Sequence, residues 1–303
     1  MFERRLKAVA ALLCGATAIG LATTGFAEIR PSLNFAGVTG LIDMPSGDVQ
    51  SDGTLSISKS QFGPVGRTTL SFQITPRLSG SFLYTGVGNW NRYTSPDDFD
   101  TYYDRSFDLR YQLAQEGRFV PAVTVGFQDI IGTGIFAGEY IAATKTFGGS
   151  VKVTAGLGWG RFGSYGAIGA PFGDRPAVDF GRGGTLRLGQ WFRGDMAPFA
   201  GVEWQATPKL TFKAEYSSDA YEFEAGERRT FDRKSPVNFG VEYAPSNGVR
   251  FGLYSLYGSE VGLSAQIVLD PKKSATGGSL GPGPLPVQAR TAAKTWGPDW
   301  VTD

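Results

Sequence analysis

Residues 106–113 carry the pattern that decides the fold, Ser106-Phe-Asp-Leu-Arg-Tyr-Gln-Leu113. Apolar and polar side chains alternate strictly along this stretch, which is typical of a β-strand with one apolar face. The alternation returns in six further stretches, at residues 55–58, 68–74, 151–159, 209–216, 237–243 and 261–269. The longer runs have about nine to eleven residues, the length of a tilted strand that crosses a bilayer.

The connections between these runs are of two kinds. Residues 75–77, 207–209 and 245–248 are short turns that contain Pro, whereas residues 89–102, 163–183 and 219–235 are long and polar. Short turns opposite long loops are typical of bacterial outer-membrane barrels. We therefore predict an all-β fold, a transmembrane antiparallel β-barrel of about 12–14 strands over residues 28–270. A soluble β-sandwich stays open as an alternative, although it accounts less well for so many long strands.

The strand count contains a conflict. If residues 89–102 lie outside the cell, simple alternation places residues 219–235 on the periplasmic side, so one strand is missing or surplus. Residues 172–182 are the best candidate for the hidden strand.

The two ends of the chain differ from the barrel. Residues 1–27 have a basic start, an apolar stretch and small residues before Ala27, which predicts a signal peptide cleaved there. Anchoring through Cys14 as a lipoprotein is disfavoured because Leu13 is bulky. Residues 271–303 are rich in Gly and Pro and predict a flexible, disordered periplasmic tail. We expect the mature protein in the outer membrane of a Gram-negative bacterium, in contact with outer-membrane lipid.

Composition excludes several classes of function. The 303 residues include 29 Lys and Arg against 28 Asp and Glu, so the basic excess of a nucleic-acid-binding protein is missing. The chain has no His, and its single Cys lies in the predicted signal. These absences remove His general bases, His-ligated metals and thiol chemistry. We expect no metal, no cofactor and no enzymatic activity.

Several segments resemble the YjbH-like (YbjH) exopolysaccharide biosynthesis family. They are Asn34-Phe-Ala-Gly-Val-Thr-Gly-Leu-Ile-Asp-Met-Pro-Ser46, Asp104-Arg-Ser-Phe-Asp-Leu109, Asp129-Ile-Ile-Gly-Thr-Gly134, Gly156-Leu-Gly-Trp-Gly160, Ala214-Glu-Tyr-Ser-Ser-Asp-Ala-Tyr221 and Tyr257-Gly-Ser-Glu-Val-Gly-Leu-Ser264. The resemblance covers roughly residues 34–271. It implies an outer-membrane barrel in exopolysaccharide or capsule export, beside a polysaccharide-export lipoprotein and periplasmic accessory proteins. Many members continue into a second region, so the chain resembles their N-terminal part.

Polar residues of the alternating runs are the first candidates for function. If the apolar set faces lipid, the polar set faces the lumen. It includes Asp108, Arg110, Glu203, Lys213, Glu215 and Glu242, which either contact sugar hydroxyls in a hydrated channel or form ion pairs that hold the wall together.

The strand ends provide further candidates. Asp104, Arg105 and Asp108 form either a sugar- or partner-binding rim or a loop corner with a local ion pair. Asp129 and Glu139 flank a glycine turn and are the best pair for glycoside chemistry, which needs two carboxyls about 5–9.5 Å apart. The aromatic candidates either stack on sugar rings or form the girdle at the membrane interface. They are Trp90, Tyr93, Tyr102 and Tyr103.

Three hypotheses about function follow. The first, which rests on the resemblance, is a non-enzymatic barrel that assists export or surface assembly of an exopolysaccharide. The second is a general diffusion porin or small-solute channel. The third is an outer-membrane enzyme that acts on polysaccharide or lipid.

Overall fold

The computed structural model describes residues 29–93, 99–177, 184, 186 and 188–270. Twelve strands follow one another along the chain. They are β1 (Leu55–Phe62), β2 (Val65–Gln73), β3 (Leu78–Val87), β4 (Tyr102–Ala114), β5 (Ala122–Gln128), β6 (Gly138–Phe147), β7 (Val151–Gly160), β8 (Met196–Thr207), β9 (Leu210–Tyr216), β10 (Val237–Ser246), β11 (Val249–Leu256) and β12 (Glu260–Leu269). Short helical turns occur at Arg161–Gly163, Leu188–Gln190 and Glu222–Glu227.

The twelve strands form a closed antiparallel barrel. Each strand pairs with its neighbour in sequence, and β12 closes the circle on β1 with Leu269 opposite Leu55 and Gly262 opposite Phe62. Closure leaves no unpaired strand edge, which is a condition for any sheet that crosses a membrane. The predicted transmembrane barrel of 12–14 strands is confirmed.

Along each strand, successive side chains alternate between the inside and the outside of the barrel. In β1 the Ser56, Ser58 and Ser60 side chains point inward and are buried, whereas Ile57 between them is exposed. The exterior is therefore apolar over most of its surface, and the interior is polar. This distribution inverts that of a soluble protein, since lipid solvates the outside.

The long loops lie at one end of the barrel. The connections 88–101, 161–195 and 217–236 all follow odd-numbered strands, whereas every connection after an even-numbered strand has at most seven residues. We call the end with these connections the short-turn end. The conflict in the predicted strand count thus disappears with twelve strands. The predicted strand at residues 172–182 is wrong for residues 172–177, which belong to the loop after β7. Residues 178–182 lie outside the described residues.

A segment before β1 fills the barrel. Every residue from Ser32 to Asp48 is buried, and the chain then leaves the lumen and enters β1 at its short-turn end. We call residues 29–54 the plug. No plug was predicted from the sequence.

Asn34 gives the plug its shape. Its side-chain oxygen accepts hydrogen bonds from the backbone N–H groups of Ala36 and Val38 at 3.0 and 3.2 Å, and its amide donates to the carbonyl of Asp43 at 2.8 Å. Gly37 has a φ of +77°, and a Cβ atom there would lie 2.4 Å from Cβ of Thr69. A side chain at position 37 would therefore both strain the turn and collide with the wall.

Two predicted segments lie outside the described residues. They are the signal peptide at 1–27 and the tail at 271–303. Within the described ranges, no helix is both long and apolar enough to cross a membrane.

The inverted exterior yields a first prediction. Leu70 is exposed on β2 between Ile57 of β1 and Phe82 of β3. In Leu70→Arg, we expect the free energy of unfolding in phospholipid vesicles to fall by about 2–4 kcal/mol, because lipid does not solvate the guanidinium. Urea titration followed by Trp fluorescence measures it. Leu70→Met serves as control, and an Arg variant as stable as Leu70→Met would show that this face does not meet lipid.

Candidate functional site

Glu215 of β9 holds the tip of the plug. One carboxylate oxygen accepts hydrogen bonds from the backbone N–H groups of Ile42, Asp43 and Met44 at 2.8, 2.9 and 2.9 Å. The other oxygen accepts a hydrogen bond from the Asn238 side chain at 2.8 Å. Three successive amides directed at one carboxylate form an anion-binding nest, here closed by a carboxylate of the barrel wall.

Lys213, two residues earlier on the same inner face, binds both wall and plug. Its ammonium lies 3.2 Å from Glu203 and 3.0 Å from Glu242. It also donates to the plug carbonyls of Gly40 and Leu41 at 3.2 and 2.7 Å. Glu203 and Glu242, both predicted to face the lumen, therefore balance the charge of a lysine that is hydrogen-bonded to the plug.

Further contacts lie toward the short-turn end. Arg110 of β4 donates to the plug carbonyl of Ser46 at 2.7 Å and also bonds the hydroxyl of Thr39. Lys152 of β7 pairs with Asp48 at 2.7 Å. The plug thus bonds β4, β7 and β9, on different sides of the wall.

Asp43 ties the plug to the long-loop end. Its carboxylate pairs with Arg67 of β2 at 3.2 Å and accepts hydrogen bonds from the hydroxyls of Tyr221 and Tyr257 at 2.7 and 2.5 Å. Tyr221 belongs to the loop 217–236, and Arg161 lies over its ring at 4.2 Å.

Arg161 fixes that loop in turn. It pairs with Asp219 and, at 3.0 Å, with Glu224. All three side chains are buried. Because a buried charge without its partner is costly, the plug and the outer loop stabilise each other through this network.

These contacts close the lumen. A cavity of about 20 Å³ lies beside the loop 161–195, where Glu139 and Arg175 line it. Between the plug and strands β2 to β4, a cavity lined by Val38, Ser71 and Arg110 has a volume of about 10 Å³. Such a space holds about one water molecule. The candidates Asp108, Arg110, Glu203, Lys213, Glu215 and Glu242 do face inward and are buried, but the inner wall they form is occupied rather than open and hydrated.

Asp104, Asp108 and Asp129 lie near the long-loop end. Asp104 and Asp108 are buried on the inner face of β4, and Asp108 accepts a hydrogen bond from the backbone N–H of Asp129 at 2.9 Å. Asp129 has a φ of +53° and accepts hydrogen bonds from the N–H groups of Gly134 and Phe136. Burial, together with the carboxylates of Asp104 and Asp108, raises the pKa of Asp129 to about 8.

Glu139 does not face the lumen. It lies opposite Phe127 and Trp159 on the exterior face of the wall. Arg175, from the loop 161–195, binds both of its carboxylate oxygens at 2.7 and 3.0 Å. Trp191 and Phe192 pack on Phe127, so this loop folds over the outside of the barrel.

Asp129 and Glu139 therefore do not form the paired-carboxylate site considered from sequence. Glu139 is fully engaged by Arg175 and by the backbone N–H of Phe192. Both acids line the cavity of about 20 Å³, which has no room for a sugar ring. In the described ranges, no group of three or more acidic or cysteine side chains could hold a metal ion.

The four aromatic candidates lie in three different environments. Trp90 stacks on Tyr102 with ring centroids 4.6 Å apart, and Trp90 is buried. Tyr103 is exposed on the exterior and stacks on Tyr84, as an interface girdle residue would. Tyr93 is exposed in the loop after β3. Arg105 also points outward, beside Tyr84.

Comparison with known proteins decides the family. Residues 32–301 match the YjbH family model, described as exopolysaccharide biosynthesis protein YbjH. The chain belongs to this family. A relative from Escherichia coli (strain K12), "Uncharacterized lipoprotein YjbH", is 32% identical over 242 residues, which are 75% of this chain and 34% of that protein. The chain thus spans about a third of the length of this YjbH relative.

Solved structures give weaker likenesses. A KdgM porin in complex with disordered oligogalacturonate has 8% sequence identity and a TM-score of 0.41, over 72% of this chain and 99% of that one. The COG4313 outer membrane channel from Pseudomonas putida F1 has 12% identity and a TM-score of 0.38, over 75% and 100%. At these values the likeness says nothing about ligands.

Several residues that join the plug to the wall and to the outer loop were not among the candidates predicted from the sequence. The residues concerned are Asp43, Asp48, Arg67, Lys152, Arg161, Asp219, Tyr221, Glu224 and Tyr257. The plug stretch lacks alternation, and no local pattern marks a segment as the filling of a barrel. The available signal was the resemblance at residues 34–46, which falls on the most buried part of the plug.

A second prediction concerns Glu215. In Glu215→Ala the N–H groups of Ile42, Asp43 and Met44 lose their acceptor, and each unsatisfied buried donor costs about 1–3 kcal/mol. In planar bilayers we expect the wild type to stay electrically closed and the variant to open at least about tenfold more often. The control is Glu116→Ala. Glu116 lies in the turn between β4 and β5, and its carboxylate accepts hydrogen bonds from Lys145 and Thr146 of β6. A Glu215 variant as silent as the control would show that this carboxylate does not hold the plug.

A third prediction concerns pH. Because the folded-state pKa of Asp129 is raised to about 8, the loop 129–137 is most stable while this carboxyl is protonated. Its stability is lost as the pH rises through about 8. We expect the Gly134 and Phe136 amides, corrected for intrinsic exchange rates, to be less protected at pH 9 than at pH 6. Asp129→Asn should remove the difference, and equal protection of the wild type at both pH values would contradict the prediction.

Proposed function

We propose that this YjbH family member is a non-enzymatic outer-membrane barrel that assists export or surface assembly of an exopolysaccharide. In this proposal, the plug keeps the barrel shut until export moves it. The observation that carries the proposal is the hydrogen-bonded plug, since Glu215, Lys213 and Arg110 all bind its backbone. A barrel with a fixed plug suits a process that opens on demand.

A permanently open porin is a poorer account. A diffusion channel needs a hydrated lumen, whereas Ser32 to Asp48 are buried inside this barrel and the cavity between the plug and strands β2 to β4 is about 10 Å³. An enzyme on polysaccharide is also less well supported, because its best candidate pair, Asp129 and Glu139, is engaged by the protein itself.

The proposed partners act from the periplasm. Both ends of the plug lie toward the short-turn end, because Leu33 bonds Gln266 near the end of β12 and Thr54 directly precedes β1. This end faces the periplasm in bacterial barrels. A polysaccharide-export lipoprotein or periplasmic accessory protein could therefore reach the plug without entering the barrel. The second region of longer family members is a further candidate for this task.

The N-terminal residues 1–27 are proposed to direct the chain to the outer membrane. The E. coli relative is named a lipoprotein, and by analogy Cys14 would be the anchored residue here. Leu13 before it favours a signal peptide cleaved after Ala27 instead. Anchoring at Cys14 would leave residues 14–28 before the plug, whereas cleavage after Ala27 would leave only residue 28.

A fourth prediction tests the export role. In a clean deletion strain, we expect surface and secreted exopolysaccharide to fall at least about fivefold, with uptake of a large antibiotic unchanged, because a shut barrel adds no general permeability. The wild-type gene and Glu116→Ala should restore the polysaccharide. Glu215→Ala should let the antibiotic enter.

The outcomes separate the hypotheses. Unchanged polysaccharide in the deletion strain would end the export proposal and leave the plugged barrel as described. Swelling of liposomes that contain the wild-type protein, in small sugars, would favour the small-solute channel instead.

A further inference from the structure

Four exterior side chains lie in one row across the paired strands β1 to β4. Lys59 is opposite Thr68, Thr68 is opposite Tyr84, and Tyr84 is opposite Arg105. All four point away from the lumen and are exposed. We call these four residues the basic row.

The two cations of the basic row lean toward each other. The Lys59 ammonium lies 3.2 Å from the hydroxyl of Thr68, one strand in from its own. The Arg105 guanidinium carbon lies 5.5 Å from the centroid of the Tyr84 ring, also one strand in. Since neighbouring strands are about 4.8 Å apart, both positive charges are brought over the centre of the row.

Neither cation forms a salt bridge in the part of the chain that the structure describes. No carboxylate of those residues lies within 4.0 Å of Lys59 or Arg105, whereas Lys145 on the same exterior pairs with Glu116 at 2.9 Å. Positive charge on the lipid-facing wall is costly at mid-bilayer and cheap at the interface. The pair therefore needs a polar environment, and an anion would stabilise it.

The adjacent exterior residues indicate how deep the basic row lies in the membrane. One step toward the short-turn end, the exterior row is wholly apolar, with Ile57, Leu70, Phe82 and Phe107 all exposed. On the long-loop side, Tyr103 stacks on Tyr84. Aromatic side chains next to an apolar band mark the level of the lipid headgroups. The long-loop end faces outward, so this level belongs to the outer leaflet.

We infer that the basic row binds the phosphorylated sugar headgroup of an outer-leaflet glycolipid of the lipid A type. Arg and Lys together suit a phosphate, the first by directed hydrogen bonds and the second as a point charge. The Thr68 hydroxyl adds a hydrogen-bonding group, and the exposed Tyr103 ring offers a surface for a sugar. The apolar row below meets the acyl chains. This site does not depend on the export role.

A fifth prediction tests the site on the purified full chain in detergent. The probes are lipid A, dephosphorylated lipid A and phosphatidylglycerol, with bound lipid counted by native mass spectrometry. We expect lipid A to bind preferentially. In the double variant Lys59→Gln, Arg105→Gln we expect its binding to be about ten- to thirtyfold weaker, since each such cation contributes to anionic lipid binding.

The control has the same loss of charge at the other end of the barrel. Arg77→Gln, Lys209→Gln alters two exposed cations in short turns and should bind lipid A like the wild type. Heat-dependent gel mobility checks folding, and either single variant can replace a double variant that fails it. Equal binding by the basic-row variant and the control, or equal binding of lipid A and either comparison lipid, would overturn the inference.

Discussion

The carboxylate of Glu215 and the three plug amides that it binds are the interaction on which the structure depends. A barrel wall with a polar inner face must satisfy its charges, either with water or with protein. Here the protein supplies the partners, since Lys213 and Arg110 bind plug carbonyls while Glu215 binds plug amides. The wall charges and the plug backbone are complementary, so removing either leaves the other buried without partners.

The same network links the two ends of the barrel. Asp43 reaches from the plug to Tyr221 and Tyr257, and Arg161 holds the loop that carries Tyr221. A plug that withdraws toward the short-turn end must therefore release the outer loop as well. Buried ion pairs of this kind add little stability compared with apolar packing, but they do define one arrangement. In the proposed export role, one defined arrangement would keep the barrel closed at rest and would let plug and loop be released together.

The exterior is less uniform than a simple apolar cylinder. Over β5 to β7 the loop 161–195 folds down the wall, and Arg175 neutralises Glu139, an acid on the outer face. Over β1 to β4 the wall is bare and carries the basic row above an apolar row. One side of the barrel is thus covered by its own chain, whereas the other presents groups that suit lipid headgroups.

Sequence alone determined the barrel, because strict alternation such as that of residues 106–113 follows directly from the two-residue period of a strand. It also placed Asp108, Lys213 and Glu215 on the inner face, since parity along a strand fixes the side. Sequence did not determine what those residues contact. The plug has no period, and its partners are up to 233 residues away along the chain, as for Leu33 and Gln266. The alternating pattern also did not indicate that Arg175 covers Glu139, because a loop that folds back over the wall leaves no periodic signal in the sequence. Only the tertiary structure brings such distant charges together, and it decided that the lumen is closed.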